Sequence, residues 1–209
     1  LVNIAKASPV ISFFNEQQTP ALVKLFQDSS LIPALQQLHA EIRMGILDLT
    51  PERAAIVRRL NKAGITVVAW LLLPEEEGYS LNSGNGARAI ERYIAIKKWA
   101  ADNQLVFKGI GIELEFDDKN TKLIMGNTWK WIRGIPGRLY KKSVLEDGRE
   151  QYAKLTRMIK EDGYFSETYY VPFIKDEAAE NRTSLQLVTG LPDIRADREI
   201  PMLYSSYFG

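Results

Sequence analysis

The sequence predicts an α/β protein, specifically a (β/α)8 TIM barrel, on three observations. Apolar runs rich in valine, isoleucine and aromatic residues recur along the 209 residues, each followed by turn chemistry and then a stretch with helical spacing. That is the pattern of βα units around a parallel sheet. One run, ITVVAWLLL, is apolar throughout, as expected of a strand covered on both faces. Six such units follow one another in order, which favours a barrel over an open doubly wound sheet; two more would close it, so the barrel is expected to be incomplete at the C-terminus of this chain. Residues 1–209 read as one barrel domain with a long insertion after the fourth strand, around 118–142.

The elements can be justified in order. PVISFFN gives a first strand near Val10 to Phe14, and Thr19 reads as an N-cap with Pro20 at the first helical position. A helical piece from Pro33 to His39 leads into EIRMGILDL, a second strand ending at Asp48. Thr50 and Pro51 repeat the cap signal before ERAAIVRRLNKAG, where Ala55, Ile56, Leu60 and Ala63 form one stripe and Gly64 a C-cap. The third strand is followed by the loop PEEEGYSLNSGNG and a helix over about Ala87 to Ala101 with Ile90, Tyr93, Ile94 and Lys97 in register. VFKGIGIELEFD is the fourth strand, and a polar and aromatic segment separates it from the helix VLEDGREQYAKLTRMIKEDG, which ends at Gly163. ETYYVPF is the fifth strand. A helical piece over about Glu177 to Val188 precedes the sixth, IPMLYSSYF.

Composition narrows the chemistry. A net charge of +1, from 27 basic and 26 acidic residues, gives no global field that would draw nucleic acid or an anionic membrane, so no nucleic-acid partner is expected. With no cysteine there is no disulfide, thiolate metal site or cysteine nucleophile, and the single histidine, His39, removes chemistry that needs a histidine pair. His39 also sits before the second strand, at the end of the sheet opposite an expected site. No cofactor is expected, since SGNG lacks the lysine and spacing of a phosphate loop. No apolar run reaches the roughly 18 residues of a membrane span. The first residue is Leu1, so upstream residues are expected to have been removed, and a cell-envelope or secreted location would follow if a signal went with them.

In a parallel barrel the reacting groups lie at the carboxyl ends of the strands. Polar residues gather there: Asn15 and Glu16, Asp48, Glu75 to Glu77 with Tyr79, then Glu113, Glu115 and Asp117, then Tyr169 and Tyr170, then Tyr204 and Ser205. Strand alternation puts Ile110, Ile112, Leu114 and Phe116 under the helices and Gly109, Gly111, Glu113, Glu115 and Asp117 on the other face. Glu113 and Glu115 then lie about 6.6–7 Å apart at Cα. The glycines leave volume below them that other strands must fill. Two partly desolvated glutamates this close push one pKa upward, which is how a general acid stays protonated near neutral pH. The competing reading is an ion pair with a basic residue of a neighbouring strand, such as Arg43.

The segment Lys108 to Glu115, KGIGIELE, resembles the fourth-strand motif D-G-x-D-x-D-x-E of the chitinase-like glycoside hydrolases of family eighteen. The resemblance implies Glu115 as general acid and Glu113 as the carboxylate that orients a substrate group. MLYS, from Met202 to Ser205, stands where that family has M-x-Y-D, which implies a sugar contact for Tyr204. Lys108, Gly111 and Ser205 depart from the family's aspartates. The chain is also similar to bacterial glycoside-hydrolase-like barrel proteins in which strand four ends in an acidic pair and a later strand reads L-Y-S-S; that likeness implies a fold and brings no activity.

The resulting expectation is a glycoside hydrolase acting on a carbohydrate polymer or oligosaccharide at the carboxyl-terminal rim. Glu115, Glu113 and Tyr204 are the catalytic candidates, and Asp48, Asp117, Tyr170, Tyr79, Trp70 and Trp129 the substrate-binding ones. The partner is then a carbohydrate ligand. A second reading keeps the carbohydrate or cell-envelope polymer but removes catalysis, with the carboxylates only accepting hydrogen bonds. A third makes Glu113, Glu115 and Asp117 oxygen ligands of a divalent cation; Glu75 to Glu77 point in different directions and read as a solvated loop.

Overall fold

A computed structural model of the chain describes residues 10–115 and 140–203. Six parallel strands, β1 (Ser12–Asn15), β2 (Glu41–Ile46), β3 (Val67–Leu71), β4 (Gly109–Glu113), β5 (Phe165–Tyr170) and β6 (Arg198–Pro201), form one sheet in sequential order. The connecting helices are α1 (Thr19–Leu25), α2 (Leu31–Gln37), α3 (Pro51–Lys62), α4 (Gly86–Asp102), α5 (Lys142–Glu161), α6 (Pro172–Ala179) and α7 (Ser184–Thr189). The expected closed (β/α)8 TIM barrel does not form. Among the described residues β1 pairs with β2 alone and β6 with β5 alone, so the sheet is an open half-barrel with two edges. Hydrophobic periodicity reports that a strand is covered on its faces; whether an edge strand finds another partner depends on pairing that no local pattern encodes.

Local signals account for most element ends. Thr50 Oγ1 accepts the Arg53 backbone N–H and Pro51 opens α3, as the cap pattern predicts, while Gly64 (φ 73°) and Gly163 (φ 84°) take left-handed backbone past the ends of α3 and α5. Two helix stripes are rotated from expectation. α3 buries Ala54, Ile56, Val57 and Leu60 and exposes Ala55, while α4 buries Ala89, Ile90, Tyr93, Ile96 and Trp99 and leaves Ile94 in solvent. In both, the buried set keeps helical spacing but starts one position away, and small alanines take the close approach to the sheet.

The two faces of the sheet carry different chemistry. Ile42, Met44, Ile46, Val67, Ala69, Leu71, Ile110, Ile112 and Leu114 pack with the helices in the main core. The alternate positions face the concave side, where Trp70, Leu72 and Tyr169 form a second cluster. Phe14 joins it, its ring edge-on to Trp70 (5.7 Å) and Tyr169 (4.9 Å), with Trp70 and Tyr169 at 6.0 Å. The volume above Gly109 and Gly111 is taken by Phe165 and Tyr169 of β5, whose rings stand where a Cβ would be. Gly111→Ala is therefore expected to displace the Tyr169 phenol and cost about 1–3 kcal/mol. A lowered urea midpoint together with changed near-ultraviolet dichroism would report it, and an unaltered midpoint would refute this packing.

Deeper on the same face lies a charged network. Glu167 is fully buried and accepts two hydrogen bonds from Arg43, Nη2 to Oε1 at 2.7 Å and Nε to Oε2 at 3.2 Å, one from Tyr169 Oη at 3.0 Å and one from Arg198 Nη1 at 3.2 Å. Arg43 also reaches Glu41 at 2.6 Å and the Ser12 hydroxyl. Burial alone would lower the Arg43 pKa, but Glu167 and Glu41 outweigh it and raise the value. Arg43 is thus committed to Glu41 and Glu167 and not to the β4 carboxylates.

Candidate functional site

The carboxyl end of β4 is built by a turn that folds back onto it. After β3, Pro74 leads into a single 3₁₀ turn over Glu75–Glu77, and Gly78 (φ 95°) and Tyr79 (φ 57°) both hold left-handed backbone. The Leu73 N–H bonds the Tyr79 carbonyl at 3.1 Å and closes this loop. The chain then runs beside β4: Leu81 bridges Leu114 in parallel, and the Glu115 N–H donates to the Leu81 carbonyl at 3.0 Å. Ser80 is thereby set against the acidic pair, where its Oγ donates to Glu115 Oε2 at 3.2 Å. Arg92 of α4 ties the same ends together through the carbonyls of Ile46 (2.7 Å), Leu47 (3.1 Å) and Leu72 (3.0 Å).

Glu113 is the unusual member. It ends β4 on the concave side opposite Tyr169, is 8% exposed, and has no hydrogen-bond or ion-pair partner for its carboxyl among the described residues. Burial, then the charges of Glu115 and Glu16, push its pKa up to about 9, so it holds its proton at neutral pH. Glu16, just past β1, accepts a hydrogen bond from the Tyr79 hydroxyl. The Tyr79 hydroxyl is itself shifted up by burial, by Glu16, and by the charges of Glu115 and Glu113. A neutral carboxyl, two further carboxyl groups and a phenol therefore meet at the ends of β1, β3 and β4. An open cleft of about 640 Å³ adjoins Tyr79, lined also by Gln18, Leu47, Glu75, Glu76 and Arg92.

The other candidates divide by position. Trp70 lies on the concave face below the carboxyl groups but is only 5% exposed, and its Nε1 has no partner among the described residues. Phe14, 47% exposed, is the ring of this cluster that offers area to a ligand. Tyr170 falls on the helix-facing side of β5, with Lys175 Nζ 5.4 Å from its ring centre. Asp48 lies at the entry to α3. Burial acts to raise its pKa, but hydrogen bonds from Arg53 (2.9 and 3.2 Å), Thr19 (2.6 Å) and Thr50 (2.6 Å) hold it well below the usual carboxylate range. Tyr204, Asp117 and Trp129 lie outside the described residues.

Sequence reasoning overlooked Glu167, Ser80 and Phe14 and placed Glu16 only among the polar residues of the rim. Strand alternation, applied to β5 and β1 as it was to β4, puts Glu167 and Phe14 on the concave face; no local signal places Ser80 at Glu115. Among the described residues no group of three or more histidine, aspartate and glutamate side chains is arranged to hold a metal ion. No helix of the described residues is long and apolar enough to cross a membrane. No protein-family model matches the chain, and no curated protein matches it.

Proposed function

We propose that the carboxyl ends of β1, β3 and β4 form a general acid–base site of a glycoside hydrolase acting on a carbohydrate polymer or oligosaccharide. The observation that carries this reading is Glu113, a buried carboxyl held protonated near pH 7 beside Glu115 at the open end of a parallel sheet. Cleavage of a glycosidic bond needs a proton delivered to the departing oxygen, and a carboxyl that is neutral at working pH supplies it. The resemblance of KGIGIELE to a chitinase-like motif implies Glu115 as the acid. Our reading gives that role to Glu113 instead, since burial and the charge of Glu115 raise its pKa, with Ser80 orienting Glu115. Phe14 gives a partly exposed aromatic face below, of the kind on which a sugar ring packs.

The test is hydrolysis of a panel of chromogenic glycosides and cell-wall polysaccharides. Wild-type protein is expected to cleave at least one, with kcat/KM falling above about pH 9 as Glu113 ionises. Glu113→Gln is expected to lower kcat by about 10²–10⁴ while binding persists. Binding without cleavage by the wild type would favour the non-catalytic carbohydrate reading, in which neutral Glu113 donates a hydrogen bond to a sugar hydroxyl. Neither cleavage nor binding across the panel would sink both.

A further inference from the structure

We infer that Glu16 is the second reacting carboxylate of this site, positioned by the Tyr79 hydroxyl to take a proton from the attacking water. The inference rests on the hydrolase reading above. It starts from a geometric difficulty: Glu113 and Glu115 stand two residues apart at the end of one strand and so approach from the same side of the concave face. Glycoside hydrolysis requires its two carboxyl groups to flank the scissile bond. Glu16 comes from another strand of the curved sheet. It follows β1, three strands from β4 in the order of the sheet, and the sheet curves so far that Arg198 of β6 comes within 4.0 Å of Glu41 on β2. The aromatic cluster of Phe14, Trp70 and Tyr169 lies on the same concave face, with Phe14 two residues before Glu16.

Tyr79 shows that the position of Glu16 is imposed. A bulky aromatic residue with φ 57° occupies backbone that costs such residues of the order of 1–3 kcal/mol, and strain of this kind persists where the surroundings over-determine it. Here the Leu73–Tyr79 and Gly78–Ser80 backbone hydrogen bonds hold it, and the phenol so directed ends on Glu16. The ionisable groups facing Glu113 are Glu16 after β1, Tyr79 after β3, Glu115 beyond β4 and Tyr169 on β5; the first three bear on its proton or on one another's. In the step itself Glu113 gives its proton to the glycosidic oxygen as the bond from that oxygen to the anomeric carbon breaks. Water forms the new bond to that carbon and passes its proton to Glu16. Solvent then returns the proton from Glu16 to Glu113, so each cycle consumes one water and no other reagent.

The experiment uses Glu16→Ala, Glu16→Gln and Tyr79→Phe on a glycoside that the wild type cleaves. Glu16→Ala is expected to lose about 10²–10⁴ in kcat with little change in KM, and added formate or azide is expected to restore part of the turnover by replacing the missing carboxylate. Tyr79→Phe is expected to lose less and to gain nothing from formate. Carboxyl carbon NMR gives a readout independent of turnover: the Glu113 midpoint near 9 is expected to move down in Glu16→Gln. Full turnover in Glu16→Ala where Glu113→Gln has lost it, or an unmoved Glu113 midpoint, overturns the role of Glu16 and leaves the hydrolase reading standing. Failure of the wild type to cleave any glycoside removes the hydrolase reading, and the role of Glu16 with it.

Discussion

Glu167→Ala is expected to destabilise the protein by about 3–5 kcal/mol, seen as a lower urea midpoint with an unchanged slope. Glu167 is fully buried and is the acceptor for Arg43, Arg198 and Tyr169, so its removal leaves the Arg43 guanidinium buried with Glu41 and Ser12 as its remaining partners. A buried charge that loses its main, fully buried partner costs more than the pair contributes. For the same reason Glu167→Ala combined with Arg43→Met is expected to recover much of the loss, because an apolar side chain of similar length needs no counter-charge. A double variant as unstable as the sum of the two single ones would mean that the residues do not act as a pair.

Glu113→Gln is expected to do the opposite to stability while it removes activity. Below the unfolded-state pKa near 4.5 the group is protonated in both states and contributes no difference. Between 4.5 and about 9 the unfolded chain ionises while the folded one keeps its proton, so wild-type stability falls with rising pH by about 1.4 kcal/mol per pH unit from this group alone. Above about 9 the loss is complete. Glutamine copies the neutral carboxyl in shape and cannot ionise, so the variant is expected to gain on the order of 5 kcal/mol over wild type at pH 8 and nothing at pH 4. Thermal melts of the two proteins across that range measure the gap; a gap that is constant with pH would show that Glu113 titrates as an ordinary carboxylate. Greater stability in a variant that has lost activity is the usual mark of a strained functional group.

How much of this was legible in the sequence can be judged from β4. Alternation alone put Ile110, Ile112 and Leu114 under the helices and Gly109, Gly111 and Glu113 on the other face, because a one-residue slip would bury the charges among the helices. Five strands and the caps at Thr50 and Gly64 are equally local and stand near their expected places, whereas β6 runs over Arg198–Pro201 rather than IPMLYSSYF, and Thr19 opens α1 with Gln18, not Thr19, as the cap. Closure was not legible, since six units in order fit a barrel and a half-barrel alike. The candidate site was half readable. The acidic pair is visible as E-x-E, but the upward shift of Glu113 comes from burial, from Glu115 and from Glu16, which is 97 positions away in sequence. Arg43 was weighed as a partner for that pair because a basic residue on a neighbouring strand needs an acid. Its true acid, Glu167, sits on β5 two residues beyond the register position of Arg43, and only the curvature and register of the whole sheet bring the two together.

Sequential strand order also bears on how the chain is made. Each βα unit docks against the one that left the ribosome before it, so β1 to β4 can assemble as they emerge. Arg43 is the exception. Its buried acceptor is synthesised 124 residues later, and until β5 arrives the guanidinium must stay hydrated or lean on Glu41 and Ser12. Docking of β5 discharges that debt and turns a string of neighbour contacts into one cooperative unit.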